Sequence, residues 1–490
     1  VKSRLGVGLG WALLIATDPA AAQQARDEVV QDEASQAPAQ DVQGRGAVGQ
    51  QGPASSPGNT QAQPDSGAAA SSTAQQEVFP SALTADTRRP PPPGLIGDWL
   101  AIRTRLARRG IGLTARYASE SAYNVTGGER QVFRETGQFD AGMLLDLDKV
   151  AGLKGGAFQA TLTWRRGRNL SDDAGLGTLQ QVQEVYGRGQ TLRVTQLWYE
   201  QVIGDTLELK LGLTNPGEDF AAFSCQFMNL SFCGAQPGNL AGDYWFNWPV
   251  SQLGARARVT LDKTHYVSAA VYQINPRNLN DGFFVAHVDG GTGVLIPVEA
   301  GWTPTAGDGR VGAYKIGGWI ATADANDVYL DVNRRPQAVT GLEPLQRSSR
   351  YGVYVNVEQQ LTGRARDGKA VSGLSVFANV TQTDRQTSVT DNQVSLGLFY
   401  RGLAPRLRGE VLGIAVARTS VNGRVARGQR LSPMAERIQD GAEQAAELFY
   451  SIQPLEGLEL RPNVQWIRHP GGVKQADNVS VVGLKAAITL

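Results

Sequence analysis

From residue 113 onward the apolar positions recur every second residue. Leu113, Ala115, Tyr117 and Tyr123 alternate with Thr114, Arg116, Glu120 and Asn124. Phe139, Ala141, Met143, Leu145 and Leu147 alternate with Asp140, Asp146 and Asp148. Phe158, Ala160, Leu162 and Trp164 alternate with Gln159, Thr161, Thr163 and Arg165, and Leu207, Leu209, Leu211 and Leu213 with Glu208, Lys210 and Thr214. The pattern returns near 253–261, 294–302, 351–359, 394–401, 446–452 and 458–466, and more weakly over 266–274 and 374–380. A period of two sends successive side chains to opposite faces of a strand. Each segment therefore predicts a strand with one apolar and one polar face, about 16 strands in all.

A soluble β-sandwich alternates in the same way, but three features favour a transmembrane antiparallel β-barrel. The polar face is crowded with full charges, which a watery lumen tolerates. Short turns (Gly152–Gly155, Gly204–Thr206, Thr362–Lys369) alternate with long connections (166–190, 218–250), as in barrels with short periplasmic turns and long outer loops. The last strand (Val482, Leu484, Ala486, Ile488, Leu490) keeps its alternation to the final residue, so it can close a barrel and act as a signal to the barrel-assembly machinery. On this phase Leu490 faces lipid, and Lys485 faces the lumen, where it should tolerate change to Gln.

Ahead of the strands, residues 94–111 change period. Asp98 is placed to cap a helix, Trp99, Ile102 and Leu106 fall at helical spacing, and Gly110 fits the stop. Residues 1–22 have Lys2 and Arg4, then an apolar stretch from Leu5 to Ala16, then Ala20-Ala21-Ala22. That order reads as a secretory signal peptide cut after Ala22. Residues 23–93 are rich in Gln, Ala, Ser, Gly and Pro and end in Arg88-Arg89-Pro90-Pro91-Pro92-Pro93. Such a composition buries too little apolar surface to offset chain entropy, so a disordered tail is expected. The barrel is expected over 112–490.

Composition narrows the chemistry. The 490 residues are 41% hydrophobic and 19% charged with net charge +1, which gives no basic face for nucleic acid. Three His, at 265, 287 and 469, and two Cys offer no multi-His or Cys-rich metal site, so no metal or cofactor is expected. No nucleophile triad or HExxH pattern stands out, and Gly290-Gly291-Thr292-Gly293 precedes a strand rather than a helix, so it is no phosphate loop and no enzyme is expected. Cys225 and Cys233 are disulfide candidates closing a short loop in an oxidising compartment; two free buried thiols are the alternative.

Several stretches resemble the carbohydrate-selective porin family (OprB type). Gly97-Asp98-Trp99, Arg103, Leu106 and Gly110-Ile111 resemble that family's entry motif, with Leu100-Ala101 where the family often has two glycines. Gln196-Leu197-Trp198-Tyr199-Glu200-Gln201 resembles the fourth strand. Leu211-Gly212-Leu213-Thr214-Asn215 with Asp219-Phe220-Ala221 resembles the lead into the third loop. Asn463-Val464-Gln465-Trp466-Ile467, Pro470-Gly471-Gly472 and Val482-Gly483-Leu484 resemble the last hairpin. The resemblance runs patchily from about residue 94 to the end. It implies a sugar channel, monomer-like or trimeric, in the lipid of a Gram-negative outer membrane, with small carbohydrates as solutes and no chemistry.

A diffusive channel needs a narrow wet constriction whose polar groups replace part of a sugar's hydration weakly enough for release. The long loops 166–190 and 218–250 are candidates to fold inward and build it. Strand phase directs Arg116, Glu120, Asp140, Arg165, Glu200, Glu208, Lys210, Arg256, Arg258, Glu299, Lys315, Glu358, Arg401 and Arg461 into the lumen. The expected constriction set is Arg116, Glu120, Arg165, Arg166, Arg168, Trp198, Glu200, Arg256 and Arg258, with Trp198 able to stack on a sugar ring. Tyr117, Tyr123, Trp164, Trp302 and Trp466 fall on the outer phase, as interfacial girdles do. A general non-selective porin and a soluble polysaccharide-binding or -cleaving β-protein are the alternatives.

Overall fold

The structure, a computed structural model, describes residues 94–490 apart from 100, 188, 224, 367 and 405. The expected signal peptide and tail, 1–93, lie outside the described residues.

Alternation within one segment becomes two continuous surfaces once the strands pair. On Arg350–Gln360, Val353 and Val355 are 58% and 40% exposed while Tyr354 and Asn356 are 1% and 5% exposed. Sixteen strands repeat this and close into one antiparallel barrel. In chain order β1 to β4 are Ile111–Thr126, Phe133–Asp146, Gly156–Gly167 and Leu192–Ile203. β5 to β8 are Leu207–Thr214, Gln252–Thr260, His265–Ile274 and Gly293–Trp302. β9 to β12 are Gly312–Ala321, Arg350–Gln360, Gly373–Thr383 and Thr390–Arg401. β13 to β16 are Val411–Val421, Ala442–Leu455, Leu458–Arg468 and Val479–Thr489. β1 pairs with β2 on one side and β16 on the other, with Glu120 opposite Lys485 and Ala118 opposite Ala487. Closure gives each strand a partner on both sides, the condition for a sheet to survive in lipid.

The outer surface carries Leu211, Ile316, Val353, Ile414, Val416, Leu448, Val464 and Val482, all exposed. Apolar side chains are at home there only against hydrocarbon. Trp164, Trp302 and Trp466 are 43%, 43% and 42% exposed, on the expected outer phase. Trp302 stacks between His265 (5.9 Å) and Tyr314 (5.0 Å) at one edge of the apolar band. Among the described residues no helix is long and apolar enough to cross a membrane.

On the inner face, aromatic rings lie across glycines of the neighbouring strand. Gly254 faces Tyr272, Gly301 faces Tyr266, Gly317 faces Tyr354, Gly352 faces Trp319 and Gly397 faces Phe377. A Cβ at Gly317 would stand 2.2 Å from the Tyr354 ring, so only a residue without one lets the ring lie flat against the wall.

The entry helix is shorter than its spacing predicts: α1 is Ile102–Arg108. Trp99 falls in the preceding turn, and Ala101 occupies the cap position in a left-handed conformation. Asp98 still accepts the Thr104 backbone N–H, at 2.8 Å, from outside the helix. Gly110 follows at φ +85°, as a stop glycine should.

Candidate solute pathway

At one end of the barrel the connections are short. Residues 204–206 link β4 to β5, and 456–457 link β14 to β15. At the other end they are long, and two of them, the second along the chain (168–191) and the third (215–251), fold into the lumen. Most of the side chains of 178–185 and 227–241 are buried, although both segments lie outside regular strands.

Backbone N–H groups in such loops have no sheet partner and still need acceptors when buried. The inner wall supplies them. Glu443 on β14 accepts from Leu179 (2.6 Å), Gln180 (3.2 Å) and Gly471 (2.9 Å). Glu447, two repeats of the pleat further along β14, accepts from Met228 (2.8 Å) and Asn229 (2.7 Å). Glu120 on β1 accepts from Val185 at 3.0 Å. Across the lumen, Glu299 on β8 accepts from Ala221 at 2.8 Å and from the hydroxyls of Tyr266 (2.7 Å) and Tyr354 (2.8 Å). Lys315 on β9 donates to the Ala222 carbonyl and Arg461 on β15 donates to that of Gln226. The segment 221–229 therefore runs across the lumen from the β8–β9 wall to the β14–β15 wall. The loops also hold one another, through Leu230 N–H to Gln181 O (2.9 Å) and Glu184 N–H to Met228 O (3.0 Å).

Apolar contacts fix the same loop. Phe227 is fully buried and sits 4.9 Å from Phe449, 5.5 Å from Phe399 and 6.0 Å from Phe377, ring centre to ring centre. Further along the loop, Trp245 packs edge-on against Trp319 at 5.4 Å. Cys225 and Cys233 are joined in a disulfide.

Two buried ionic clusters complete the seating. In the first, Lys485 on β16 reaches Glu120 (2.9 Å) and Glu184 of the second long loop. In the second, Lys210 lies 3.1 Å from Asp219 and 3.3 Å from Glu218. Arg256 lies 3.0 Å from Glu200 and 2.6 Å from Asp219, and also pairs with Glu208. The Tyr272 hydroxyl donates to Asp219 at 2.7 Å.

Cross-strand register puts Arg116, Arg165, Glu200, Arg256, Arg258, Glu299, Lys315, Glu358, Arg401 and Arg461 on the inner face, as their phase required. Within the expected constriction set, the structure separates three environments. Arg116 and Arg258 are half-buried side chains of the inner wall, Arg258 lying 4.5 Å over the Tyr266 ring. Glu120, Arg165, Trp198, Glu200 and Arg256 are buried and hold structure. Arg165 donates to Gln138 (2.7 Å) and to the Gly187 carbonyl (3.1 Å) of the second loop. Trp198 is 4% exposed with the Lys210 ammonium 4.7 Å over its ring, so it offers no face to a sugar. Arg166 takes the opposite phase to Arg165: it bonds Tyr117 (2.7 Å) on the outer face and pairs with Glu135. Arg168 is 66% exposed and pairs with Asp173 at 2.7 Å. Adjacent residues of a strand point to opposite faces, so an arginine pair at 165 and 166 could not both turn inward.

Alternation alone did not single out Glu443, Glu447 or Lys485 as functional. Their signal was a charge on the inner phase of a strand, shared with every wall residue. What distinguishes them is a loop more than 200 residues away in sequence for the two glutamates.

A sixteen-stranded barrel with an apolar belt and loops folded into a charged lumen defines an outer-membrane diffusion channel. Residues 130–490 match the family model described as carbohydrate-selective porin, OprB family. Porin B of Pseudomonas aeruginosa is 41% identical over 411 residues, covering 80% of this chain and 90% of that one. A putative porin, QuiX, of Acinetobacter baylyi is 32% identical over 418 residues, covering 80% and 91%. A solved structure of Pseudomonas putida OprB at high pH superposes with a TM-score of 0.78 at 39% identity, covering 81% of this chain and 99% of that one. The chain belongs to the carbohydrate-selective porin family, OprB type. It is an outer-membrane channel for carbohydrates in a Gram-negative bacterium, and its relatives are channels rather than enzymes.

Proposed function

We propose that small sugars cross through the aperture bounded by segment 221–229 and the inner wall, and that the half-buried wall charges on the side of the short turns form its polar lining. Five cations (Arg116, Arg258, Lys315, Arg401, Arg461) and four carboxylates (Asp140, Asp146, Glu358, Glu459) belong to that set. The observation that carries this reading is the crossing of the lumen by a loop anchored on both walls. Guanidinium forks donate to sugar hydroxyls and carboxylates accept from them. Each exchange with water is worth about 1 kcal/mol net, weak enough for release. The excess of cations favours anions among small ions.

The test is Arg116→Gln, Arg258→Gln and Arg401→Gln, singly and together, in liposome swelling with mono- and disaccharides and in planar-bilayer conductance. Single changes should alter sugar flux modestly, and the triple change should alter it more and move ion selectivity toward cations. Unchanged flux and selectivity in the triple variant would place the lining elsewhere. Block of ion current by added sugar separates a selective pathway from a general pore. For the chain termini we propose cleavage after Ala22, which N-terminal sequencing of the mature protein checks, and recognition of β16 by the barrel-assembly machinery.

A further inference from the structure

We infer that the inner-wall glutamates Glu120, Glu299, Glu443 and Glu447 are positioning residues that set the width of the aperture. This rests on the reading that segment 221–229 bounds the pathway. The wall does not need these carboxylates for its own pairing, because its strand ladders are complete around the barrel. Each of them gives at least one oxygen to loop backbone, Glu120 also meeting Lys485 and Glu299 the Tyr266 and Tyr354 hydroxyls. Seven loop N–H groups end on the four side chains: Val185 on Glu120; Ala221 on Glu299; Leu179, Gln180 and Gly471 on Glu443; Met228 and Asn229 on Glu447. An ionised carboxylate is suited to this work. It has two oxygens and no proton, accepts adjacent N–H groups together, and makes hydrogen bonds roughly twice as strong as a neutral acceptor does.

The placement of the four is as telling as their bonds. Glu443 and Glu447 face inward from one strand with Ala445 between them, so β14 holds the second loop and the third loop side by side. Glu299 stands on the far wall and takes the other end of the crossing segment, with Tyr266 and Tyr354 donating to the same carboxylate and fixing its direction. The segment is thus clamped at Ala221 and again at Met228–Asn229. Glutamine at either clamp keeps the shape of the side chain and one carbonyl acceptor. At position 447 it would turn an amide NH2 toward one of two N–H groups, so one bond survives and the other becomes a donor–donor contact.

The experiment measures single channels of the full-length protein in planar bilayers for Glu447→Gln, Glu447→Ala, Glu299→Gln and Glu299→Ala. Liposome swelling with solutes of increasing size runs in parallel, and heat-modifiable mobility checks that the barrel is folded. Unit conductance and the largest permeant solute should rise in the order wild type, Gln, Ala at each position. A carboxylate that only stabilised the fold would lower the number of inserted channels and leave the conductance of each unchanged, and that result would overturn the inference. If an Ala variant fails to insert, the Gln variant decides, and wild-type conductance in both Gln variants likewise overturns it. Deletion within 221–229 separates the two readings. If the deletion widens the pore and the glutamate variants do not, the pathway stands and the clamps fall. A deletion that changes nothing removes the pathway reading itself.

Discussion

Lys485 offers the most quantitative test of how the loops are seated. By strand phase alone it is a lumen residue that should accept glutamine. In the structure it is 4% exposed and serves two fully buried carboxylates, Glu120 at 2.9 Å and Glu184. The gross attraction of one such pair is about 6 kcal/mol at an effective dielectric of 20. Desolvating each ion costs several kcal/mol, so the intact triad contributes little net stability. Removing the cation alone is a different matter, because two carboxylates then stay buried without a counter-charge. Breaking a buried pair in this way costs about 3–5 kcal/mol. Lys485→Met should therefore lose about that much in equilibrium unfolding from lipid vesicles, and Lys485→Gln somewhat less, since its amide still donates. The triple change Lys485→Met, Glu120→Gln, Glu184→Gln should recover most of the loss, because no buried charge remains. Since Glu184 belongs to the second long loop, the single variant should also show noisier open-channel current than the triple. A loss below about 1 kcal/mol in Lys485→Met would mean that the site is hydrated and that the burial argument is wrong.

Further outcomes follow from other parts of the molecule. Val355→Arg places a charge on the lipid-facing phase of β10, where it costs about 2–4 kcal/mol near mid-bilayer, so its folded yield in membranes should fall well below that of a polar change at inward Asn356. Cys225→Ser with Cys233→Ser removes a crosslink closing a short loop and should destabilise the loop by up to ~2–3 kcal/mol in chain-entropy terms, read as faster hydrogen exchange across 226–232 with the barrel's melting unchanged. Asp327 joins two outer loops by pairing with Arg347 (2.7 Å) and Arg424 (2.5 Å). Burial alone would raise its pKa, but the Leu330 and Tyr329 backbone N–H groups and the two guanidiniums outweigh it and hold the carboxyl below its usual value. A depressed carboxyl contributes stability that is complete above the ordinary aspartate value of about 3.9 and lost as pH falls through the lower folded value. Hydrogen exchange in 325–331 and 423–431 should therefore stay slow at neutral pH and speed up only in that acidic window, while Asp327→Asn should exchange fast throughout.

The strands were legible because lipid on one side and water on the other impose a period of two. The places where that period was weakest turn out to be informative. Segments 266–274 and 374–380 alternate poorly because their inner phase is not bathed in water: Tyr272 and Ile274 pack under Phe220 and Trp245, and Phe377 packs on Phe227. A wall strand covered by a loop is apolar on both faces and loses its signature. The pathway was less legible for a related reason. Phase sorted inward from outward charges, but it could not tell Arg258, which stays half-buried over Tyr266, from Arg256, which is closed under Asp219 and Glu200. That difference depends on where a loop lands, and no local pattern encodes it. Arg166 lies beside the mouth of a loop, but its own strand phase turns it to the outer face, against Tyr117 and Glu135.

The clamps on β14 impose an order of events. Met228 and Asn229 find their acceptor 219 and 218 residues further along the chain. Until β14 exists and the wall has curved round to bring it opposite β8, the third loop has nothing to rest on at that end. The far end of the third loop can therefore seat only after β14 has joined the wall, late in the building of the sheet. If the crossing segment sets the width, a barrel whose loop had not yet seated would be a wider channel, and selectivity would be the last property the fold acquires.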